Sequence, residues 1–167
     1  MNKESWAQAL VDQLPRLRRF ARGLVQNRDH ADDLVQDCIE RAWSRSHLWQ
    51  PGSNLRSWLF TMLHHLYINH LRRNRIRPVL YPIEGVDEPA THDEPTLLRD
   101  LEKCLAKLSP EQREVIVLAG LEQLSYQEMA EILDIPVGTV MSRLSRARER
   151  LRELMSHHPK PFMVRVK

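Results

Sequence analysis

The clearest chemistry in this sequence lies in a cluster of arginines near its C-terminal end. Residues 143–152 contain five arginines and one glutamate. Guanidinium groups bind phosphates and guanine bases through paired hydrogen bonds. A solvated basic helix is the ordinary alternative for a charge run. So few neighbouring carboxylates leave this charge available to a polyanion, which favours nucleic-acid binding.

Catalytic chemistry is not indicated. The sequence shows no paired motif for nucleophilic or acid–base catalysis and no glycine loop that could hold phosphate, so we expect neither an enzyme nor a cofactor. Histidines at positions 64, 65 and 70 could suggest a metal. Consecutive residues point in different directions on a helix, however, and no cysteine-rich spacing accompanies them. We expect no metal site.

Composition indicates a helix-rich globular protein. Of 167 residues, 42% are hydrophobic and 28% charged, with only five glycines. No apolar run is long enough to insert into a membrane, and the polar start MNKESWAQ lacks a signal-peptide stretch, which predicts a cytoplasmic location. Cys38 and Cys104 lie in apolar helical patterns and are expected to be buried free thiols.

Charge divides the chain into segments. Residues 1–78 hold 13 basic and 7 acidic residues, residues 79–96 hold none and 5, and residues 97–167 hold 12 and 10. The acidic middle contains three prolines and no apolar period, as is typical of a linker. We therefore predict an all-α protein of two small domains, 1–78 and 97–156, joined by an acidic, proline-containing linker at 79–96 and followed by a tail at 157–167.

The first domain is predicted to contain three helices. Apolar residues from Trp6 to Leu24 recur at helical spacing, although Pro15 is expected to kink or restart that helix. Asp29 is the candidate cap of a second helix. A turn at residues 50–54 precedes a third, whose buried stripe should comprise Leu59, Met62, Leu63, Leu66 and Leu71.

The second domain has stronger local signals. Ser109 with Gln112 and Ser125 with Glu128 each form a capping box, which marks a helix start. A turn at residues 134–136 then separates a short helix from a longer basic one, which is the helix-turn-helix pattern of DNA-binding proteins. Burial of the apolar stripe on the longer helix leaves polar residues facing solvent to contact bases and phosphates: Thr139, Ser142, Arg143, Arg146 and Arg150.

Long segments resemble a known family. The segment LSYQEMAEILDIPVGTVMSRLSRARERL is similar to the C-terminal domain of extracytoplasmic-function sigma factors of bacterial RNA polymerase, and LSPEQREVIVLAGLEQ resembles the part that precedes it. DHADDLVQDCIERAW and LRSWLFTMLHHLYINHLRR resemble the family's N-terminal domain in order and spacing. The resemblance implies a transcription initiation factor that guides core polymerase to promoters and aids strand opening.

The resemblance also implies partners and contact residues. The largest-subunit clamp helices of core polymerase would bind Asp33, Gln36, Asp37 and Arg41, and the β-subunit flap would be a second contact on the polymerase. The promoter −10 element would contact His65, Asn69, Arg72 and Arg73. The −35 element would contact Thr139, Ser142, Arg143, Ser145, Arg146 and Arg148.

Finer features place the chain nearest the general-stress subgroup. ADDLVQD followed by PGSNLRSWLF resembles that subgroup, which implies control by a soluble anti-sigma factor. The chain departs from the family at His64 and His65, where a small or apolar residue and then asparagine are usual, and at Met141, where a basic residue is frequent. The two histidines lie in the region with which the family reads the flipped −10 base, and Met141 removes one possible guanine or phosphate contact.

Two other functions remain open. The helix-turn-helix alone also fits a stand-alone repressor that binds duplex DNA without polymerase. A sigma-factor mimic that only sequesters an anti-sigma protein is the second alternative. Arginines on the recognition helix argue against the mimic, because a decoy has no need of DNA-reading side chains.

Overall fold

The structure is a computed structural model, and it describes residues 3–50, 52–76 and 96–156. Within those ranges the chain is all-helical, as predicted, and contains no strand. The helices are α1 (Lys3–Leu24), α2 (Arg28–Ser44), α3 (Leu55–Ile76), α4 (Thr96–Ala106), α5 (Pro110–Leu121), α6 (Tyr126–Leu133) and α7 (Val137–Ser156), with a one-turn 3-10 helix at Ser46–Leu48. We call α1–α3 the N-terminal half and α4–α7 the C-terminal half.

Helix α1 runs through Pro15 without restarting, so the expected restart is wrong. Proline has no backbone N–H and leaves the carbonyl four residues earlier without its helical partner. That residue, Val11, is 52% exposed, so water can reach this part of the helix. Burial of Leu10 and Leu17 on either side of the proline keeps both segments on one core.

The cap of α2 also differs from the prediction. Asn27, not Asp29, caps the helix, because its side chain accepts a hydrogen bond from the His30 backbone N–H at 3.0 Å. Asp29 lies in the first turn instead. A carboxylate there still favours the helix, since it faces the positive end of the helix dipole.

Aromatic and thiol side chains fill the core of the N-terminal half. Phe20 of α1 and Phe60 of α3 pack edge to face with ring centroids 5.0 Å apart. Cys38 of α2 is fully buried, and burial raises the pKa of its thiol to about 12. Both cysteines are free and buried, as predicted. The thiol of Cys38 donates to the Leu59 carbonyl across the α2–α3 contact at 3.5 Å.

In the C-terminal half, local capping sets the helix boundaries. Both predicted capping boxes are confirmed, at Ser109 with Gln112 and at Ser125 with Glu128. Arg113 joins helix ends from both halves. Its guanidinium donates to the carbonyls of Leu24 at the end of α1, of Leu105 and Ala106 in the last turn of α4, and of Leu108 beyond it.

The two halves share one hydrophobic core. Helix α1 packs on α5, and α3 packs on α6. At Gly23 the approach is so close that an added Cβ would lie 2.7 Å from both methyl groups of Val117. We call this contact between the halves the junction. Most of the predicted linker, residues 79–95, and the predicted tail, 157–167, lie outside the described residues, and the predicted domain boundaries stay a prediction.

Candidate nucleic-acid and polymerase interfaces

Helices α6 and α7 form a helix-turn-helix. Asp134 ends α6 in the left-handed conformation, with φ of 52°, and its N–H donates to the Ala130 carbonyl. Pro136 follows, and its carbonyl accepts the N–H groups of Thr139 and Val140 at 2.9 and 3.1 Å. Only three residues, 134–136, therefore separate the end of α6 from the start of α7. A longer basic helix is presented in the manner of a recognition helix.

The recognition helix buries one stripe and presents the rest. Val140, Leu144 and Ala147 are buried against the other helices. Among the predicted −35 contacts, Ser145, Arg146 and Arg148 are exposed, and Thr139, Ser142 and Arg143 are half-buried. These six side chains lie on the part of α7 that faces solvent, where they are accessible to the bases and phosphates of one DNA duplex.

Two further positions on α7 refine this surface. Met141 is 51% exposed, so this departure from the family lies where a side chain could reach DNA. Arg150 faces solvent as expected, but it forms an ion pair with Glu153 at 2.8 Å. Its charge is therefore partly neutralised within the helix, in contrast with Arg146, for which the described residues show no ion pair.

The predicted polymerase contacts share one face of α2. Asp33, Asp37 and Arg41 are spaced by four residues, which places them along a single stripe, and all are exposed. Gln36 is also exposed and donates to Glu40 at 3.0 Å. Carboxylates and an amide in this arrangement suit a basic helical partner.

The predicted −10 contacts lie on α3, beside that face. His65, Asn69, Arg72 and Arg73 are all exposed. A small groove between α2 and α3 is lined by Leu34, Asp37, Arg41, Leu66, Asn69, His70 and Arg73. The groove joins members of the two predicted contact sets.

His70 lies in the wall of this groove, and its surroundings lower its pKa. Burial lowers the pKa of His70, and the neighbouring His30 and Arg73 lower it further. Its Nε2 lies 2.9 Å from the Asn74 side-chain nitrogen, so the neutral ring can accept that hydrogen bond. His70 is therefore a neutral acceptor near neutral pH rather than an additional cation. In the described part of the chain, no cluster of ligating side chains suits a metal ion.

Sequence reasoning missed the residues at the junction. His64 Nδ1 lies 2.6 Å from a Glu114 carboxylate oxygen, Arg56 lies 3.8 Å from Glu128, and Arg19 lies 3.3 Å from Glu122. The available signal was the position of Glu114 among apolar residues on the buried side of α5. Each pair crosses between halves whose mutual packing no local pattern reveals.

Family models match both halves. Residues 10–64 match the model of the Sigma2 domain of PhyR, and residues 98–151 match that of sigma-70 region 4. The latter range contains α6, the turn and α7 as far as residue 151.

Relatives that match most of this chain decide the family. The chain is 38% identical over 147 residues to the ECF RNA polymerase sigma factor EcfG of Rhodopseudomonas palustris, covering 85% of this chain and 80% of that protein. The chain belongs to the extracytoplasmic-function sigma factors. It is also 32% identical to the ECF sigma factor SigE of Mycolicibacterium smegmatis, covering 92% of this chain and 63% of that protein.

Solved structures agree with this assignment. The sigma factor RpoE of Bartonella quintana, crystallised with the anti-sigma factor NepR, is 38% identical with a TM-score of 0.80, covering 93% of this chain and 99% of that one. CnrH, solved with the cytosolic domain of CnrY, is 25% identical with a TM-score of 0.72, covering 95% and 92%. PhyR of Bartonella quintana, at 18% identity and a TM-score of 0.61, shares the fold.

Membership of this family establishes the general function. The chain is a non-enzymatic transcription initiation factor that binds core RNA polymerase and directs it to promoters. Among the described residues, no helix is both long and apolar enough to cross a bilayer.

Proposed function

We propose that the N-terminal and C-terminal modules of this sigma factor bind different targets. The N-terminal module, residues 1–78, would bind core polymerase and the −10 element. The C-terminal module, residues 97–156, would bind the −35 element. The observation that supports this division most directly is the helix-turn-helix in the C-terminal half, with Arg146 and Arg148 exposed on its second helix.

The exposed face of α2 is the proposed polymerase contact. Asp33, Gln36, Asp37 and Arg41 would dock on the largest-subunit clamp helices, where charge pairs steer and orient the partner. On α3, His65, Asn69, Arg72 and Arg73 would hold the −10 strand. On α7, Thr139, Ser142, Arg143, Ser145, Arg146 and Arg148 would read the −35 duplex.

An anti-sigma factor is the proposed regulator. RpoE and CnrH are each solved with such a regulator or its cytosolic domain, NepR and CnrY respectively. Their similarity over most of this chain supports control by a comparable protein, with release under stress. Since the target is RNA polymerase, the site of action would be the cytoplasm.

Transcription in vitro tests the proposed division. Wild-type chain and core polymerase should give discrete start sites on a pool of promoter fragments, with shared elements near −35 and −10. Core polymerase alone is the control. A chain that binds duplex DNA but gives no transcripts would support the repressor alternative. A chain that binds an anti-sigma factor and no promoter would support the mimic.

Two substitutions test the contact surfaces. Changing both Asp33 and Asp37 to Lys should abolish polymerase binding and leave −35 duplex binding intact. Unchanged polymerase binding would remove α2 from the proposed interface. Arg146→Ala should weaken −35 binding by about 1 to 3 kcal/mol in a titration at fixed salt. Arg18→Ala is the control, because Arg18 is an exposed arginine on α1, away from the helix-turn-helix.

A further inference from the structure

The junction pairs basic residues with acidic ones in a consistent arrangement. In the pairs Arg19–Glu122, Arg56–Glu128 and His64–Glu114, the basic group lies in the N-terminal half and the carboxylate in the C-terminal half. The carboxylates of the C-terminal half therefore cover basic side chains of the N-terminal half that a polyanion could otherwise approach. Such complementarity specifies how the halves fit together.

His64 and Glu114 are the buried pair among these three. Their side chains are 12% and 5% exposed, whereas Arg19 is 53% exposed. A carboxylate only accepts, so the imidazole Nδ1–H donates to Glu114 across 2.6 Å. Salt and water screen an exposed pair strongly and a buried one much less. His64–Glu114 is therefore the pair that contributes most to holding the halves together.

This closed arrangement cannot persist on a promoter. The −35 and −10 elements lie about 25 base pairs apart, or about 85 Å along B-form DNA. A compact chain of 167 residues has a radius of gyration of about 15 Å. Here α6 of the helix-turn-helix packs directly on α3, which carries the proposed −10 contacts. The halves must therefore separate before both elements are bound.

Separation uncovers His64 beside the proposed −10 surface. Its ring lies against that of His65, with centroids 5.4 Å apart, and His65 is already exposed. Aromatic rings, including imidazole, stack on unpaired bases, and the ring nitrogens can also form hydrogen bonds. Once Glu114 leaves, the two rings form a contiguous surface suited to an unpaired strand.

We propose that His64 alternates between two partners: the Glu114 carboxylate in the closed free chain, and the unpaired −10 strand in the open, polymerase-bound chain. Glu114 thereby holds the chain closed and shields a DNA contact until the halves part. This inference rests on the proposed function, because it requires that α3 bind the −10 strand.

The first measurement is the affinity of the free chain for core polymerase. If polymerase binds only the open chain, in which the halves are apart, the apparent Kd equals the intrinsic Kd divided by the fraction of chains that are open. Removing a hydrogen bond to a charged group should raise the open-to-closed ratio at least about ten-fold. His64→Ala should therefore tighten polymerase binding by about that factor, whereas Glu114→Gln, whose amide oxygen still accepts from Nδ1–H in a hydrogen bond about half as strong, should tighten it several-fold. Glu102→Gln, an exposed change on α4, and His47→Ala should not.

The second measurement separates the two partners of His64. Strand opening is followed on one promoter with preassembled polymerase complexes, using a fluorescent adenine analogue in the −10 element. His64→Ala should reduce strand opening about ten-fold, whereas Glu114→Gln should leave it at the wild-type value. His64→Asn provides a second probe, because its amide nitrogen can replace Nδ1 toward Glu114 but cannot stack. It should keep wild-type polymerase affinity and lose strand opening.

Each outcome decides a part of the inference. Unchanged polymerase affinity in both Glu114→Gln and His64→Ala would overturn the closing role. Wild-type strand opening by both His64 variants would overturn the DNA role. If the wild-type chain itself initiated no transcription with core polymerase, the proposed function would fail first and this inference with it. Wild-type initiation with unaltered variants would reject this inference alone.

Discussion

A single methyl group at Gly23 should act as a wedge in the junction. Gly23 in α1 faces Val117 in α5, and a Cβ there would lie 2.7 Å from both valine methyls and 3.3 Å from its Cβ. Gly120 provides a matched control, because its added Cβ would meet nothing within 4 Å. Both glycines are the next-to-last residues of their helices. Their backbone contexts are therefore comparable.

The magnitude follows from two opposing effects. Alanine stabilises a helix over glycine by up to about 1 kcal/mol, and less near an end. Overpacking a tight contact costs about 1 to 3 kcal/mol. Gly120→Ala should therefore be neutral or slightly stabilising, and Gly23→Ala should be less stable than Gly120→Ala by about 1 to 3 kcal/mol. For a chain of this size, the Tm values should differ by roughly 2 to 12 °C.

Thermal denaturation followed by circular dichroism measures this difference. Val117→Ala should relieve the clash, so the double variant with Gly23→Ala should be more stable than the sum of the single effects predicts. Equal upward shifts of Tm for Gly23→Ala and Gly120→Ala would refute the reasoning, because they would show that α1 and α5 are not in contact at this position.

Two further predictions concern capping. Arg113→Met removes a guanidinium that donates to four carbonyls at 2.8 to 3.1 Å, so we expect a loss of about 3 kcal/mol or more in the free energy of unfolding, measured in urea. The exposed Arg18→Met should change it by less than about 0.5 kcal/mol. Hydrogen bonds from the Ser125 backbone and hydroxyl hold the pKa of Glu128 below its usual value. The stability of wild type relative to Glu128→Gln should be constant near neutral pH and fall below about pH 4.3, where the unfolded chain takes up the proton first. A pH-independent difference would contradict that role.

Features set by neighbouring residues could be predicted from the sequence. The capping boxes at Ser109 and Ser125 each depend on a side chain and a backbone N–H three residues away. The turn between α6 and α7 and the buried stripe of α7 are similarly local. These features place the helix-turn-helix and the proposed −35 contacts without knowledge of any other part of the chain.

Errors arose where two local signals competed. Asn27 and Asp29 both have cap-forming side chains, and only the backbone conformation of Asn27 selects between them. Pro15 predicts a kink or a restart of α1, and the helix continues without a restart because burial on both sides outweighs the missing hydrogen bond. The backbone conformation decided the first case and packing the second.

The junction could not be predicted, because it joins residues far apart along the chain. Arg19 and Glu122 are separated by 103 positions, and His64 and Glu114 by 50. A histidine on α3 and a glutamate on α5 are each unremarkable in isolation. Only their apposition shows that a departure from the family pattern at His64 has a partner inside the same chain.

Closure of the halves sets an energetic condition on initiation. If the closed form is favoured a hundred-fold, polymerase and promoter must together supply about 2.7 kcal/mol more binding free energy than an open chain would require. Because the halves belong to one chain, separation does not release either from the polymerase once one is bound. Once α2 has docked on the polymerase, α3 would therefore reach the promoter as part of the polymerase complex. Moving Glu114 away from His64 costs free energy, and binding of the unpaired −10 strand to His64 would offset that cost. Separation of the halves would in this way be coupled to opening of the DNA.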